Sequence, residues 1–324
     1  MSASIVTSVF GGKKKESADV SSLISLIFGA VTPEQNHILH RVAHDALEHG
    51  RDPFRALIMN TDQQDLPSRI VARFGPEDIE WCEVDGLHLA TDASEGSVSP
   101  QVASGYEPHV SRTLRSILRS GDTFVDVGAN IGVHVADAAR IVGERGRVVA
   151  VEPNSENCRL LLLTVDRNGL RNVTLIPAAL ADVGEWTYFS THIGSNGGVS
   201  MSDVEALTKG FGSVVPVRRL DDIAPERTTL IKIDVEGAEI PVLRSGLETL
   251  RRDRPSIIME FSCEMVRRVS GVDPLDALSW IEGLGYGIAV IRKDDGQLLA
   301  TTAEQLIETW KSPLSIEDLL LSPR

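Results

Sequence analysis

The stretch FVDVGANIG, from Phe124 to Gly132, joins the end of a buried strand to a loop that two glycines border. Apolar residues that suit the inside of a sheet lead into Asp126, and the loop then runs from Gly128 to Gly132. Loops at the carboxyl ends of parallel strands are where doubly wound sheets bind ligands. Glycine lets the backbone pass close to a ligand because it has no Cβ. We therefore expect a ligand site at this loop.

The sequence around this stretch alternates strand and helix patterns. The predicted strands are TFVDVG, RVVAVEP, VTLIPAAL, TLIKIDVEG, SIIMEF and GIAVIRK. Parallel strands need crossovers of a dozen or more residues, which are usually helical. The alternation therefore predicts an α/β fold with a parallel sheet that is covered by helices on both faces. EIPVLRSGLETLRRD is predicted to be one of these helices, and TTAEQLIETW a closing helix capped by Thr301 with Glu304.

Three segments lie outside this alternation. IEWCEV and LHLAT flank Asp85-Gly86, which predicts a β-hairpin within residues 76–95 that precedes the main domain, residues 96–324. EWTYFS and SVVPVRRL predict strands on either side of a Gly/Ser/Asn-rich insertion, residues 190–215, which we expect to be a lid. Residues 1–75 contain two helical patterns with an apolar stripe, which predicts a lid or a homodimer contact.

Composition limits the kinds of partner. The chain has 324 residues with a net charge of −14 and a pI near 5.0, which argues against binding to nucleic acid because that affinity comes from clustered Lys and Arg. Cys82, Cys158 and Cys263 lie far apart, without metal-site or disulfide spacing, which favours a reducing compartment. An apolar run of about 20 residues, which could cross a membrane, does not occur. We expect a cytoplasmic protein with a small-molecule partner.

A second acid accompanies the glycine loop. Glu152 closes the strand RVVAVE, where a carboxylate can accept hydrogen bonds from both hydroxyls of a ribose. Nicotinamide and S-adenosylmethionine sites share this pairing of loop and acid. A dinucleotide loop needs G-x-G-x-x-G, and Asn130 stands where its second glycine would be. This disfavours an NAD(P)-dependent oxidoreductase, which remains an alternative together with a non-catalytic scaffold.

Four linked motifs carry a family resemblance. FVDVGANIG, VVAVEPNSEN, PAALAD and LIKIDVEGAE occur in this order, and the set resembles the FkbM family of S-adenosylmethionine-dependent methyltransferases over roughly residues 96–293. The resemblance implies the class I methyltransferase fold, a Rossmann-like, seven-stranded, mostly parallel sheet whose antiparallel strand inserts near the edge and is here predicted as GIAVIRK. It also implies O-methylation of a hydroxyl on a sugar, lipid or natural product.

The resemblance also implies which residues bind S-adenosylmethionine. Asp126, Gly128, Ala129, Asn130 and Gly132 would surround the methionine end, Glu152 the ribose, Pro153 and Asn154 the adenine wall, and Ala179, Leu180 and Asp182 the adenine itself. Asp234 is the best candidate to contact both cofactor and acceptor.

An alcohol acceptor must also lose its proton. His134, at the start of the first crossover helix, is a candidate base, with His192 in the insertion as a second. Asp234 and Glu236 are further catalytic candidates. Asp234 and Glu260 end neighbouring predicted strands and could instead share Mg²⁺, which would lower the pKa of the alcohol.

Structural roles for the same residues stay open. His134 could pack on its helix, Asp182 could form a turn, and Glu236 could cap the next helix while Lys232 and Glu239 pair with neighbours.

Overall fold

The computed structural model describes residues 79–92, 98–190, 198–200, 213–310, 312 and 315–324. All of them belong to the second of two compact units of the chain, residues 75–324. The helices predicted within residues 1–75, His192 and most of the predicted lid lie outside the described residues.

The described strands, in chain order, are β1 (Ile79–Val84), β2 (Leu87–Asp92), β3 (Thr123–Val127), β4 (Arg147–Val151), β5 (Val173–Ile176), β6 (Ala179–Leu180), β7 (Trp186–Ser190), β8 (Gly198–Ser200), β9 (Ser213–Arg218), β10 (Thr228–Ile233), β11 (Ser256–Phe261), β12 (Tyr286–Ile291), β13 (Leu298–Thr301) and β14 (Glu317–Pro323). The helices are α1 (Ser99–Val102), α2 (Pro108–Ile117), α3 (Val133–Val142), α4 (Ser155–Arg167), α5 (Leu220–Ile223), α6 (Glu239–Arg244), α7 (Leu247–Asp253), α8 (Cys263–Val269), α9 (Pro274–Gly283) and α10 (Ala303–Glu308).

The central sheet has the strand order β13-β12-β14-β11-β10-β3-β4-β5. From β11 to β5 all neighbours are parallel, whereas β14 is antiparallel to both β11 and β12. This confirms the predicted fold class, with an eighth strand, β13, added at the edge next to β12. Strands β7 and β9, which were also predicted, pair antiparallel in a small separate sheet with β6 and β8.

Three local predictions were wrong. The strand that inserts antiparallel is β14 and not GIAVIRK, because the apolar run Leu319–Leu321 fills the space between β11 and β12. The helix predicted after TLIKIDVEG is split into α6 and α7 at Ser245-Gly246, where the Ser245 hydroxyl donates to the carbonyl of Val242 and accepts from the amide of Leu220. The closing helix is capped one residue later, by Thr302 with Gln305.

Alternate residues of the central strands pack on opposite faces of the sheet, as the pleat requires. Val125, Ile231 and Ile257 belong to a core shared with α5 to α10. Phe124, Leu230 and Ile258 belong to a second core with α2 and α3. Two polar residues, Asp126 and Lys232, follow Phe124 and Leu230 by two positions and are neighbours in register. Their side chains therefore lie on the α2/α3 face.

The hairpin β1–β2 turns at Asp85 and Gly86, which both have positive φ, as a tight two-residue turn requires. Its second strand is hydrogen-bonded to Asn168, the residue that caps the C-terminal end of α4. The Asn168 side chain accepts from the amide of His88 at 2.9 Å and donates to the carbonyls of His88 at 2.6 Å and Thr164 at 2.7 Å. One side chain thus replaces a strand neighbour for β2.

We predict that Asn168→Ala lowers the free energy of unfolding by about 1–3 kcal/mol, because it leaves partly buried backbone groups of β2 without partners. Urea denaturation monitored by circular dichroism measures this change. Asp166→Ala, an exposed position on the same helix, is the control and should change stability by no more than about 0.5 kcal/mol. Equal stabilities of the two variants would contradict the fastening role of Asn168.

Candidate active site

The loop after β3 packs directly on the end of β10. Gly128 has φ +83°, and a Cβ added to it would lie 1.8 Å from the carbonyl oxygen of Asp234. Gly132 has φ +89°, and its Cβ would lie 2.8 Å from Cγ of Leu161 on α4. Both glycines are therefore required by close packing within the protein, before any ligand is considered.

The residues between these glycines hold the loop in shape. The amides of Gly128 and Ala129 both donate to the carbonyl of Val151, at 3.0 Å. Asn130 has φ +49°, and its side-chain oxygen accepts from the next amide, that of Ile131, at 2.7 Å. Asparagine tolerates this left-handed conformation better than most residues because its side chain bonds locally. The loop is thus fixed against the end of β4.

Glu152 joins this loop to the one that follows β4. Its carboxylate is buried and accepts from the amides of Asn130 and Asn154, each at 2.8 Å. Asn154 in turn caps α4 by accepting from the amide of Glu156. Burial raises the pKa of Glu152 to about 7, against the opposing effect of these hydrogen bonds. Oε1 also accepts from the side-chain amide of Asn157 at 3.5 Å, so the lone pair that remains free for a ligand hydroxyl is on Oε2.

The other predicted adenine-side residues lie around β6. Ala179 and Leu180 form this short strand, are buried, and pair with β9 of the small sheet. Asp182 follows the strand and is partly exposed, as is Pro153 after β4.

A cation lies among acids at the end of β10. Nζ of Lys232 is 2.9 Å from Oδ2 of Asp234, and Lys232 is buried. Burial lowers the pKa of Lys232, but the charges of Asp234, Asp126 and Glu107 outweigh burial and hold that pKa well above its ordinary value. Asp126 is 1% exposed, and its Oδ1 has no hydrogen-bond partner. Burial raises the pKa of Asp126.

His134, the predicted base, is buried with both ring nitrogens facing protein side chains. Nε2 is 2.9 Å from a carboxylate oxygen of Glu107, and Nδ1 is 3.5 Å from the hydroxyl of Ser111. The ring of Tyr106 lies 5.8 Å away, between centroids. In this arrangement His134 ties α3 to α2. It could accept a proton from an acceptor only after releasing one of these partners.

Glu107 is a site residue that the sequence reasoning missed. It is the residue before Pro108, where α2 begins, and its φ is +41°. Burial opposes ionisation, but the hydrogen bond with His134 and the charge of Lys232 lower its pKa overall. An acid directly before a proline that starts a helix, in the run YEPH, is the signal that could have drawn attention to it.

Glu107 also belongs to a group of three carboxylates that come from separate elements. Single oxygens of Glu107, Glu260 and Asp318 lie within 4.8 Å of one another. Glu260 and Asp318 are register neighbours on β11 and β14, and Asp318 is 2.7 Å from Nε2 of His109. Burial and the surrounding acids raise the pKa of Glu260. Among the described residues, these three carboxylates have the spacing of metal ligands. Asp234 is not one of them, and the predicted sharing of Mg²⁺ by Asp234 and Glu260 stays a prediction.

The acids after Asp234 differ from each other. Glu236 has φ +54° and is partly buried, and burial followed by the charge of Asp234 raises its pKa. It does not cap α6, whose N-cap residue is Ala238. Glu239 is buried and accepts from the amide of Gly237 at 2.9 Å, and burial raises its pKa to about 7. Of the structural roles considered for this motif, the pairing of Lys232 and Glu239 with neighbours is observed.

Comparisons with known proteins give this site its context. The family model described as the methyltransferase FkbM domain matches residues 126–288, which is half of the chain. The chain belongs to the FkbM methyltransferase family. A curated member, the 31-O-demethyl-FK506 methyltransferase FkbM of Streptomyces tacrolimicus, is 29% identical over 220 residues, 58% of this chain and 81% of that protein.

Solved structures of methyltransferases are also similar. Methyltransferase FkbM from Methylobacillus flagellatus aligns with a TM-score of 0.36 and 16% identity, over 65% of this chain and half of that one. TYW2 from M. jannaschii, solved in complex with AdoMet, aligns with a TM-score of 0.41 and 15% identity, over 78% of this chain and 89% of that one. As an FkbM methyltransferase, the chain uses S-adenosylmethionine as its methyl donor.

We predict that Gly128→Ala destabilises the protein by about 2–4 kcal/mol more than Gly169→Ala does, because only the first substitution adds a clash to a left-handed backbone. Gly169 also has positive φ, and its added Cβ would meet nothing within 4 Å, so it is a matched control. Thermal and urea denaturation of both variants measure the difference. Similar stabilities would show that the loop is not held against β10 as described.

Proposed function

We propose that the protein is an O-methyltransferase acting on a hydroxyl of a small molecule. The observation that carries this proposal is the buried ion pair of Lys232 and Asp234, which lies where the glycine loop packs on β10. The name of the curated FkbM relative, which specifies methylation at an oxygen, supports the same reaction class. The described residues offer no observation that favours an NAD(P)-dependent oxidoreductase or a non-catalytic scaffold.

The residues around the loop fit the donor. The unpartnered oxygen of Asp126 suits an ammonium group, and the free lone pair on Oε2 of Glu152 suits a ribose hydroxyl. The proposed contacts are Asp126, Gly128, Ala129, Asn130 and Gly132 for the methionine end, Glu152 for the ribose, and Pro153, Asn154, Ala179, Leu180 and Asp182 for the adenine. A cavity beside the loop has a volume of only about 10 Å³, so the methionine end requires a shift of neighbouring side chains.

S-adenosylmethionine supplies an electrophilic methyl group on a sulfonium. The task of this chain is to hold the acceptor hydroxyl in line at about 3 Å and to exclude water. Lys232 occupies Oδ2 of Asp234, which leaves Oδ1 for the acceptor hydroxyl. Through Oδ1, Asp234 orients the hydroxyl and accepts its proton as the methyl group is transferred. We propose that Glu236 and His134 support this arrangement.

The acceptor is proposed to be a small molecule because the chain has a net charge of −14, which opposes binding to a polyanion. None of the helices that the structure describes is long and apolar enough to cross a membrane. A cytoplasmic location remains part of the proposal because all three cysteines are free thiols.

The pH dependence of donor binding tests the role of Glu152. Because the carboxylate is the form that accepts a ribose hydroxyl, we predict that binding weakens about tenfold per pH unit below its pKa of about 7. Glu152→Ala should weaken binding by about 10- to 150-fold at pH 8, from the loss of one charged hydrogen bond at roughly 1.5–3 kcal/mol. Calorimetry with S-adenosylmethionine at pH 6, 7 and 8 measures both effects.

Glu152→Gln is the control for titration, since it has nearly the same shape but no ionisable group. We expect its binding to be weaker than that of the unaltered protein at pH 8 and nearly independent of pH. A Gln variant with the original affinity and the original pH slope would refute the ribose assignment.

The reaction itself can be tested with methyl-¹³C-labelled donor and extract of the producing cells. We predict one product that is heavier by a methylene group, with a methyl carbon resonance typical of an ether. Asp234→Asn should reduce its formation about 100-fold or more, as expected when a proton acceptor is lost. Labelled N-methyl or S-methyl products would contradict O-methylation.

The same assay separates the two routes for proton removal. If Asp234 acts directly, treatment with EDTA leaves the rate unchanged. Loss of the product with EDTA and its recovery with Mg²⁺ would instead support the metal route, with Glu260 as the shared ligand.

A further inference from the structure

A cavity of about 200 Å³ lies between the hairpin, α2 and the start of α3. Its apolar wall consists of Val84, Leu87, Leu89, Val102 and Val133. Neither the sequence motifs nor the proposed donor contacts use these residues, so the cavity is available for another role.

This cavity adjoins the candidate active site. A second, smaller cavity is lined by the glycine loop, Lys232 and Asp234. Tyr106 and Val133 line both cavities. Tyr106 and Val133 therefore lie between a ligand in the larger cavity and the smaller cavity, which Asp234 lines.

Three of the four charged groups in the cavity wall are paired with one another. Arg115 donates to Asp85 and to Asp137, in both cases at 2.7 Å. The hydroxyl of Ser111 faces the imidazole of His134. Arg112 is exposed, which leaves it hydrated. The wall thus offers few free hydrogen-bonding groups to a bound molecule.

We propose that this cavity binds an apolar, ring-sized part of the methyl acceptor, with the acceptor hydroxyl directed past Tyr106 towards Asp234. The volume fits, because an apolar cavity of about 150 Å³ in another protein takes up one benzene molecule. A sugar ring would lose hydrogen bonds to water in such a cavity without replacement. The assignment of the acceptor class rests on the proposed methyltransferase function.

The test uses the full chain and two compounds that each contain one six-membered ring, benzyl alcohol and methyl β-glucoside, in titrations followed by saturation-transfer NMR. Benzyl alcohol should bind and the glucoside should not. Val84→Trp, which fills the cavity from a partly exposed strand position, should weaken binding of benzyl alcohol by about tenfold or more. Val214→Trp, the same substitution at an exposed position, should leave it unchanged.

Intermolecular NOEs locate the ligand in the unaltered protein, should Val84→Trp fail to fold. Contacts between the ring protons of benzyl alcohol and the methyl groups of Leu89 are expected. Failure of benzyl alcohol to bind, equal binding of the glucoside, equal binding to Val84→Trp, or NOEs to other sites would each overturn the proposal. Ring binding is measured without the donor. A failure of the methyltransferase function therefore appears separately, as absent binding of S-adenosylmethionine in calorimetry.

Discussion

The contact between the glycine loop and the end of β10 is the constraint on which the candidate site depends. A side chain at Gly128 would overlap the carbonyl of Asp234, so the loop can approach only because that side chain is missing. This approach places the residues of the loop beside Lys232 and Asp234. The groups that we propose for donor and acceptor follow strands β3 and β10, which are sheet neighbours, and the contact fixes the distance between these strand ends.

Electrostatics explain why this polar site tolerates burial. Lys232 is surrounded by the charges of Asp234, Asp126 and Glu107, and these outweigh the cost of burying its ammonium group. At the nearby acids the cost of burial prevails instead, and it raises the pKa of Asp126, Glu260 and Glu239. A raised pKa favours the neutral form of a carboxyl group, which reduces repulsion among the acids. Asp234 differs from these acids because its carboxylate pairs directly with Lys232.

Sequence reasoning could predict the parts of the fold that have a local signature. The alternation of strands and helices indicated the parallel sheet, and Asp85-Gly86 indicated the hairpin turn. It failed where tertiary contacts determine the secondary structure. β14 is a strand because it fills a gap between β11 and β12, and α6 ends where Ser245 bonds to the amide of Leu220. Such partners are distant in sequence and leave no periodic pattern.

The same distinction applies to the site. Loop and acid motifs could be found because each lies at the end of a predicted strand. Glu107 and Asp318, in contrast, approach Glu260 only because α2 packs on the sheet and β14 pairs with β11. The structure also changes what the glycines mean. Packing on Asp234 and Leu161 already requires Gly128 and Gly132, so they support a ligand less specifically than the motif suggested. The buried, unpartnered oxygen of Asp126 is the stronger indication. Packing explains a missing side chain, but a polar atom without a partner costs free energy until a ligand supplies one.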